Sequence, residues 1–177
     1  MLLPIDDHMV HRGDGVFEAL KVVEGRAYLL DEHLTRLMIS AGKVSLIPKF
    51  SLDEMKEIIL QTLKIAGQKN ALVRIYLSRG PGSFSPNPYD SVGSQFYVVI
   101  TELQSTAAEK YQHGVRAARS HVPAKESWMA TVKSCNYLPN VMMKKEAVDR
   151  KLEFVIGFDE YDFVAEGPTE NIVIVDA

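Results

Sequence analysis

Lys133 is the residue of this sequence whose surroundings best suit covalent chemistry. It lies in the segment ATVKSCNY at residues 130–137, where most side chains are small or apolar. A lysine with few charged neighbours is partly desolvated, which favours the neutral amine that forms Schiff bases with carbonyl compounds. A strand lysine whose amine simply reaches solvent has the same local pattern. The segment alone therefore favours a Lys133 whose amine simply reaches solvent, and a catalytic role for Lys133 stays open.

Three other charged residues could bind an anion or a cofactor. Arg36 lies in a predicted helix, where it could pair with Glu32 four residues earlier or bind a phosphate with its planar guanidinium. Glu166 precedes a predicted turn and on its own is typical of a surface carboxylate. Arg79 begins the sequence RGPG, which matches neither of the common glycine-rich phosphate motifs. An ordinary connecting loop and an active-site loop both stay open there.

The histidines and the cysteine do not form a metal-binding pattern. His8 and His11 are three residues apart, the other three histidines are scattered, and no further ligand follows at a matched spacing. We therefore expect no metal. Cys135 is the only cysteine, so an internal disulfide is excluded, and a buried structural thiol is favoured over a catalytic one.

The composition argues against several classes of protein. The chain has 177 residues, of which 46% are hydrophobic and 24% charged, with a formal net charge of −3. These values are typical of a globular protein with a sizeable core and give nucleic-acid binding little support. No apolar run is long enough to cross a bilayer, and residues 1–8 lack the pattern of a signal peptide. We expect a cytoplasmic protein.

The first hundred residues predict strands interleaved with helices. Four segments have the alternating or β-branched pattern of strands: 16–23, 26–29, 71–78 and 95–101. Glu24-Gly25 is a hairpin turn signal between the first two. Asp31 could cap a first long helix. Ser51 and Glu54 form a capping box for a second helix, which Gly67 would end.

The rest of the chain predicts a second, β-rich unit. A helix over 138–151 stands among four short predicted strands: 114–121, 153–158, 162–165 and 172–175. Because hairpins and helices are mixed rather than strictly alternating, the predicted fold class is α+β. We place a first domain at residues 1–104, an interdomain linker at 105–112 and the start of a second domain at 113–177.

Four blocks of the sequence together resemble the class IV, or fold type IV, aminotransferases, which are pyridoxal-phosphate enzymes. The blocks are HRGDGVFE at 11–18, HLTRL at 33–37, KSCNYLPNV at 133–141 and EGPTENI at 166–172. They match the family's glycine-rich strand, its HLxRL helix, its KSxNYLxNV segment and its EGxxxN turn, in the family's order. The resemblance implies an N-terminal α/β sandwich domain followed by part of a second, barrel-like α/β domain.

The resemblance also implies four cofactor contacts. Lys133 would form the Schiff base with the pyridoxal 5'-phosphate aldehyde and then move the proton as base and acid. Glu166 would keep the pyridine nitrogen protonated, which makes the ring a better electron sink. Arg36 would bind the phosphate, and Tyr137 would form a hydrogen bond to the phenolic oxygen of the cofactor.

The activity that the resemblance implies is transamination between an amino acid and an oxo acid by a homodimer. Phe17 would line the substrate pocket, and Arg79 is a loose counterpart of the substrate arginine in branched-chain enzymes. D-amino-acid aminotransferases tend to carry a tyrosine in place of Phe17 and an Arg-x-His pair in the loop that here reads SFSPNP at 83–88. Since both features are absent, a branched-chain-like or other amino-acid donor is favoured.

Three alternatives stay open. The first is a 4-amino-4-deoxychorismate lyase, which uses the same lysine and cofactor to eliminate pyruvate. The second is D-amino-acid transamination, and the third is a cofactor-free fragment or interaction protein.

The family's later segments, which bring glycine- and threonine-rich turns to the phosphate and the substrate carboxylate, have no counterpart before Ala177. We therefore expect this sequence to be partial.

Overall fold

The computed structural model describes residues 2–176, with only the backbone of Ser127. The chain divides into two compact units. Unit 1 comprises Met1–Gln104 and Thr131–Cys135, and unit 2 comprises Ser105–Ala130 and Asn136–Ala177. The five residues around Lys133 thus belong to the unit that the N-terminal part of the chain forms, although the sequence analysis grouped them with the second domain.

Unit 1 is built on a four-stranded antiparallel sheet. Its strands are β1 (Gly15–Val23), β2 (Arg26–Ala27), β3 (Ala71–Ser78) and β4 (Gln95–Glu102), in the order β2-β1-β3-β4. Its helices are α1 (His8–Arg12), α2 (Leu30–Lys43) and α3 (Leu52–Ala66). The loop between β3 and β4 contains one short 3₁₀ turn, Pro88–Asp90.

The two faces of this sheet differ in burial. The core face of β1 carries three apolar residues and one acid, all buried: Val16, Leu20, Val22 and Glu18. They pack with the buried residues of β3 and with the apolar sides of α2 and α3. The opposite face is only half-buried and carries Phe17 on β1 and Tyr76 on β3, which are register partners. Glu18 and Phe17 therefore project from opposite sides of one strand.

Unit 2 consists of two short strands and three helices. These are α4 (Ala108–His113), β5 (Ala117–Arg119), α5 (Ser127–Ala130), α6 (Leu138–Asp149) and β6 (Phe154–Ile156). The two strands pair in parallel, and α6, which lies between them in the sequence, packs against β6. Met143, Ala147 and Val155 form the centre of its small apolar core.

The turn and capping signals of the sequence are confirmed with one exception. Ser51 and Glu54 form both bonds of the capping box, and Gly67 ends α3 in the left-handed conformation at φ 65°. Asp31, predicted to cap α2, is not its N-cap. Leu29 holds that place at φ 51° without a side-chain cap, and Asp31 lies in the first turn. A carboxylate there still interacts favourably with the positive end of the helix dipole.

The α+β fold class is confirmed, but the second half of the chain is less regular than predicted. Helix α4 lies within the segment expected to be a linker, and the strand predicted at 114–121 is only Ala117–Arg119. The strand predicted at 162–165 is reduced to a single bridge between Phe158 and Val164. Residues 172–175 form no strand within the described part of the chain, because no neighbouring strand there offers its backbone groups.

None of the helices in the described part of the chain is long and apolar enough to span a membrane.

Candidate active site

The backbone of Lys133 is fixed against the beginning of β1. Phe17 N donates to Lys133 O at 2.9 Å, and Cys135 N donates to Gly15 O at 2.9 Å. Between these two bonds, Val16 and Ser134 form an antiparallel bridge. Because these backbone bonds join the Lys133 segment to β1, the Cα of Lys133 is positioned by the sheet rather than by a flexible loop.

The amine of Lys133 lies over an aromatic surface. Its Nζ is 4.8 Å from the centroid of the Phe17 ring, and that ring stacks on Tyr76 with 5.8 Å between centroids. Lys133 is half-buried, and within unit 1 its amine forms no ion pair with a described residue. The contact with the rings agrees with the mostly apolar surroundings expected from the sequence, and the reactivity of Lys133 stays a prediction.

Helix α2 also holds the Lys133 segment. Lys133 N donates to Ser40 Oγ at 3.4 Å, and Lys43 Nζ donates to Thr131 O at 3.1 Å. Ser40 and Lys43 follow Arg36 by four and seven residues, so these three side chains lie along one face of the helix. The arginine predicted to bind phosphate and the contacts that position Lys133 therefore share one rigid element.

Arg36 is paired with the buried acid of β1. Arg36 Nε donates to Glu18 Oε1 at 2.5 Å, and Nη2 donates to Oε2 at 2.6 Å. His33 Nδ1, one turn earlier on α2, lies 2.9 Å from the same Oε2. The Glu18 side chain is 0% exposed, whereas 56% of the Arg36 side chain is exposed. The carboxylate is thus inside the core and the guanidinium extends from it towards solvent.

This arrangement holds both groups in their charged forms. Burial alone would raise the pKa of Glu18, but the hydrogen bonds and charges of Arg36 and His33 outweigh it and lower that pKa. The hydrogen bond to Glu18 raises the pKa of Arg36, against the opposing effect of burial. Among the described residues, Arg36 Nη1 has no hydrogen-bond partner, so the outer edge of the guanidinium stays available.

Arg79 is used differently. Its Nε and Nη2 donate to the Asp14 carboxylate at 2.9 and 3.0 Å, and Nη2 and Nη1 also donate to the carbonyls of Val44 and Ser45, each at 2.8 Å. Only 14% of the Arg79 side chain is exposed. The guanidinium therefore ties the beginning of β1 and the end of β3 to the chain segment after α2.

The loop that follows Arg79 is tightly packed. His8 N donates to Gly80 O, Gly82 N donates to Asp6 O, and both bonds measure 3.0 to 3.1 Å. Gly80 has φ 100°, and a Cβ added there would lie 2.1 Å from Gly93 O. Only glycine fits this close approach, so the loop has one well-defined conformation at its base.

Cys135 is a half-buried thiol two residues after Lys133. Burial raises its pKa to about 12, and the charges of Asp7 and Asp14 act in the same direction. At neutral pH the sulfur is therefore a protonated thiol, which is a poor nucleophile. This agrees with the structural role favoured from the sequence.

Tyr137 and Glu166 belong to unit 2. Tyr137 precedes α6, and the amine of Lys125 lies 4.8 Å from its ring centroid. Burial raises the pKa of the Tyr137 phenol, and the charges of Glu166 and Glu170 raise it further. Glu166 has an exposed side chain, and its carbonyl accepts a 2.9 Å bond from Gly157 N. Within this unit, Tyr137 and Glu166 are thus close enough to interact electrostatically.

Asn140 connects two of the sequence blocks. Its Nδ2 donates to Pro168 O at 2.8 Å, so the KSCNYLPNV block is tied to the EGPTENI turn. The side chain is buried, and Oδ1 has no partner among the described residues. Asn140 therefore fixes the turn that contains Glu166 relative to the beginning of α6.

Four residues that support the predicted site residues were not predicted from the sequence to have such a role: Glu18, Ser40, Asp14 and Asn140. One of them had a usable signal. Glu18 occupies a core-facing place between Val16 and Leu20 in an otherwise apolar alternation, and an acid in such a place needs a cationic partner. Ser40 and Asp14 have no such local pattern, since their partners are distant in sequence.

In the part of the chain that the structure describes, no group of three or more metal-ligating side chains is present.

Comparison with known proteins gives consistent results. A family described as "Amino-transferase class IV" matches residues 15–177. The chain is 37% identical, over 99% of its length, to the "D-amino-acid transaminase, chloroplastic" of Arabidopsis thaliana, and covers 46% of that protein. It is 30% identical, over 98% of its length, to a "Bifunctional aminodeoxychorismate lyase / D-amino acid transaminase" of Mycobacterium tuberculosis, and covers 61% of it.

A solved structure confirms the fold. The branched-chain amino acid aminotransferase of Escherichia coli superposes with a TM-score of 0.87 at 22% identity, over 96% of this chain and 59% of that one. The predicted fold type IV architecture is therefore correct. The chain spans about half to three fifths of the length of these relatives.

Proposed function

The chain belongs to the class IV aminotransferase family, and from this membership we propose that its protein catalyses pyridoxal-phosphate-dependent transamination of an amino acid with an oxo acid. One observation carries the proposal. The backbone of the Lys133 segment is bonded to β1, and the Lys133 amine lies 4.8 Å from the centroid of the Phe17 ring. A lysine fixed in this way is well prepared to bind an aldehyde covalently.

The groups of unit 1 fit a phosphorylated aldehyde. The outer edge of Arg36 offers a planar, permanently charged pair of donors, which suits two phosphate oxygens. Lys133 offers the amine for the aldehyde carbon. Arg36 lies on α2, and the backbone N of Lys133 donates to Ser40 on the same helix, so the distance between the two anchor points is fixed by the fold.

Lys133 is the group that we expect to move the proton. When bound, pyridoxal phosphate supplies the electron sink that makes the substrate Cα acidic. Lys133 Nζ would take the Cα proton as a general base and return a proton as a general acid. The stacked rings of Phe17 and Tyr76 would limit the access of water to this amine, and Phe17 would contact the substrate side chain.

Tyr137 and Glu166 would contact the cofactor ring. Because the pKa of Tyr137 is raised, its phenol stays protonated at neutral pH and can donate a hydrogen bond to a phenolate oxygen. The Glu166 carboxylate would accept a hydrogen bond from the protonated pyridine nitrogen and so keep it protonated, and Asn140 would hold its turn in place. Both roles rest on the matching sequence blocks.

The hydrogen bonds that Arg79 forms in the structure go to the Asp14 carboxylate and to two backbone carbonyls. A direct contact with substrate would require its guanidinium to leave Asp14 and two carbonyls. Substrate binding by Arg79 stays a prediction. The observed bonds favour a supporting role for the loop at 80–93.

The amino donor is the main open choice among related reactions. The 37% identical relative is named a D-amino-acid transaminase, which supports D-amino acids as donors even though the two sequence features expected of that group are absent. The 30% identical relative also has a lyase name, which keeps pyruvate elimination as a second candidate. The branched-chain enzyme of Escherichia coli shares the fold, and the fold does not select among donors.

We also propose that the protein is a homodimer that acts on small molecules in the cytoplasm. The proposed dimer follows from family membership. The single cysteine is a half-buried free thiol, which is compatible with a reducing compartment.

A spectroscopic titration tests the proposed activity. The full-length protein would be loaded with pyridoxal phosphate and its visible spectrum recorded before and after addition of single L- and D-amino acids. Loss of the visible band with particular donors, together with formation of the matching oxo acid, is expected. A band that no amino acid changes, with pyruvate released from a chorismate-derived amine, would favour the lyase; a protein that binds no cofactor would exclude both.

Lys133→Ala should abolish the visible band and reduce turnover by at least about a thousandfold, because the covalent anchor and the base are removed together. The control is Lys145→Ala, which removes an exposed lysine paired only with Asp149 at 2.5 Å on α6. Lys145→Ala should retain the band and the activity. Turnover by Lys133→Ala at the wild-type rate would refute the assignment.

A further inference from the structure

We propose that Glu18 is a positioning residue that orients Arg36 so that its outer edge faces the phosphate of the cofactor. The inference rests on the proposed function. Glu18 itself would touch neither cofactor nor substrate, since its side chain is fully buried in the core of unit 1. Its effect would pass entirely through the guanidinium to which it is bonded.

The position of Glu18 does not need a carboxylate for packing. Its neighbours on the core face of β1 are Val16 and Leu20, and the surrounding cluster is apolar. A buried ion pair is often no more stabilising than an apolar side chain of similar volume. An acid here therefore points to a role in orientation rather than in stability.

The geometry of the pair leaves open the edge of Arg36 that is able to bind a phosphate. The Glu18 carboxylate accepts from the side of the guanidinium, with Arg36 Nε 2.5 Å from Oε1 and Nη2 2.6 Å from Oε2. The end formed by Nη1 and Nη2 then points away from the carboxylate; Nη1 has no hydrogen-bond partner among the described residues, and Nη2 also lies 3.5 Å from His33 Nδ1. That end is the one able to bind two phosphate oxygens, and more than half of the side chain is exposed.

Glu18 is itself held firmly. His33 Nδ1 lies 2.9 Å from Oε2, the same oxygen that accepts from Arg36 Nη2. His33 and Arg36 are one turn apart on α2, so a single helix supplies both partners of the acid. The carboxylate therefore fixes the arginine relative to the strand that also anchors Lys133.

Charge and orientation predict opposite effects of removing Glu18. A nearby carboxylate offsets the charge of Arg36, so charge alone predicts that its removal would strengthen phosphate binding. Orientation predicts the reverse, because a half-exposed arginine without its partner has many rotamers, and ordering them opposes binding. The sign of the change therefore distinguishes the two explanations.

The test compares two cofactor forms that differ only in the phosphate. Pyridoxal phosphate and pyridoxal would be titrated into the full-length apo-protein, with binding followed by absorbance, for wild type, Glu18→Leu and Glu18→Gln. We expect both variants to bind pyridoxal phosphate about 10- to 100-fold more weakly, which is the range for loss of a charge-assisted contact. Binding of pyridoxal should stay unchanged. The second variant covers the case in which the leucine does not fold.

Glu146→Gln is the matched control. Glu146 in unit 2 also accepts from an arginine, Arg150, at 2.6 Å and lies 3.1 Å from a histidine, His121. Its loss should leave the ratio of the two affinities at the wild-type value.

Three results would overturn the inference while leaving the function intact. They are tighter binding of pyridoxal phosphate to the Glu18 variants, unchanged binding of it, and equal weakening of both cofactor forms. A wild-type protein that binds neither form would instead remove the proposed function, and the inference with it.

Discussion

Two arginine–carboxylate pairs in unit 1 have the same chemistry and different uses. Arg36 with Glu18 and Arg79 with Asp14 both join the carboxylate through Nε and Nη2. In the first pair the acid is buried and the arginine extends outwards, with 56% of its side chain exposed. In the second, 14% of the arginine side chain and 23% of the acid side chain are exposed.

The difference lies in what remains of each guanidinium. Arg79 also donates to two backbone carbonyls, so the donors on both its edges are used within the fold. Arg36 has its outer edge available, and the side chain stands on the helix that positions Lys133. An ion pair therefore does not reveal a function by itself; the number of donors left over separates a structural arginine from one prepared for a ligand.

The largest effect that would test this contrast is on stability. Arg79→Ala should lower the free energy of unfolding by about 2–4 kcal/mol, because it leaves Asp14 and two carbonyls without their donor. Urea denaturation measures the change. Cofactor affinity of the folded fraction should not change.

Arg74→Ala is the control for this substitution. Arg74 lies on the same strand and donates one 3.2 Å bond, to Thr101, on an exposed part of the sheet. Its loss should cost less than about 1 kcal/mol. Equal losses for Arg74 and Arg79 would contradict a structural role for the second pair.

A smaller effect concerns pH and the Glu18–Arg36 pair. The pKa of Glu18 is lowered in the folded state, since the bonds from Arg36 and His33 outweigh burial, which acts in the opposite direction. Its stabilising contribution is therefore present above the unfolded-state pKa and is lost as the pH falls through the lower folded-state pKa. The free energy of unfolding of wild type, measured relative to that of Glu18→Leu, should therefore decrease as the pH is reduced from about 7 to about 3, whichever of the two is more stable at neutral pH.

Glu32→Gln gives the background for that experiment, because Glu32 is an exposed acid on the same helix. Its difference from wild type should depend much less on pH. A stability difference for Glu18→Leu that is flat from neutral to acid pH would show that the carboxylate is not held charged by its partners.

The smallest expected effect sharpens the contrast from the helix side. Gly42 lies in α2 near its end, and a Cβ added there would meet no atom within 4 Å. Gly42→Ala should raise the free energy of unfolding by about 0.5–1 kcal/mol, through helix propensity, without altering cofactor affinity. Thermal unfolding and a cofactor titration measure the two quantities.

Gly25→Ala is the opposite control, since Gly25 is equally open but has φ 75°. It should destabilise the protein by about 1 kcal/mol because of backbone strain. A change in cofactor affinity with Gly42→Ala would mean that helix stability, rather than Glu18, sets the position of Arg36.

Local signals predicted much of unit 1. The capping box at Ser51, the turn at Glu24 and the strands 16–23 and 71–78 each depend on residues only a few positions apart, so sequence contains them fully. The strand at 172–175 was predicted from its apolar residues and does not form in the described chain. A strand requires a partner, and the partner is not a local property.

The family's HLxRL block placed Arg36 on a helix, which the structure shows as α2, but the blocks did not show the partners of Arg36 or the unit to which Lys133 belongs. The bond between Arg36 and Glu18 joins residues 18 apart, and the one between Arg79 and Asp14 joins residues 65 apart. Each depends on how α2 or β3 docks on β1. The i,i+4 pairing with Glu32, one of the two alternatives that the sequence left open for Arg36, is not the pair that forms, since the buried acid of the sheet is the partner.

The sequence by itself determined most of the helices and strands of unit 1, the family and the residue types able to hold a phosphorylated aldehyde, because these follow from short-range patterns and from chemistry carried by single side chains. Only the tertiary structure decided that the Lys133 segment packs on β1. It also decided that the donors of Arg79 are used within the fold, whereas a donor of Arg36 remains available. These outcomes depend on sheet register and helix docking, which bring distant residues within hydrogen-bonding distance and fix which donors remain.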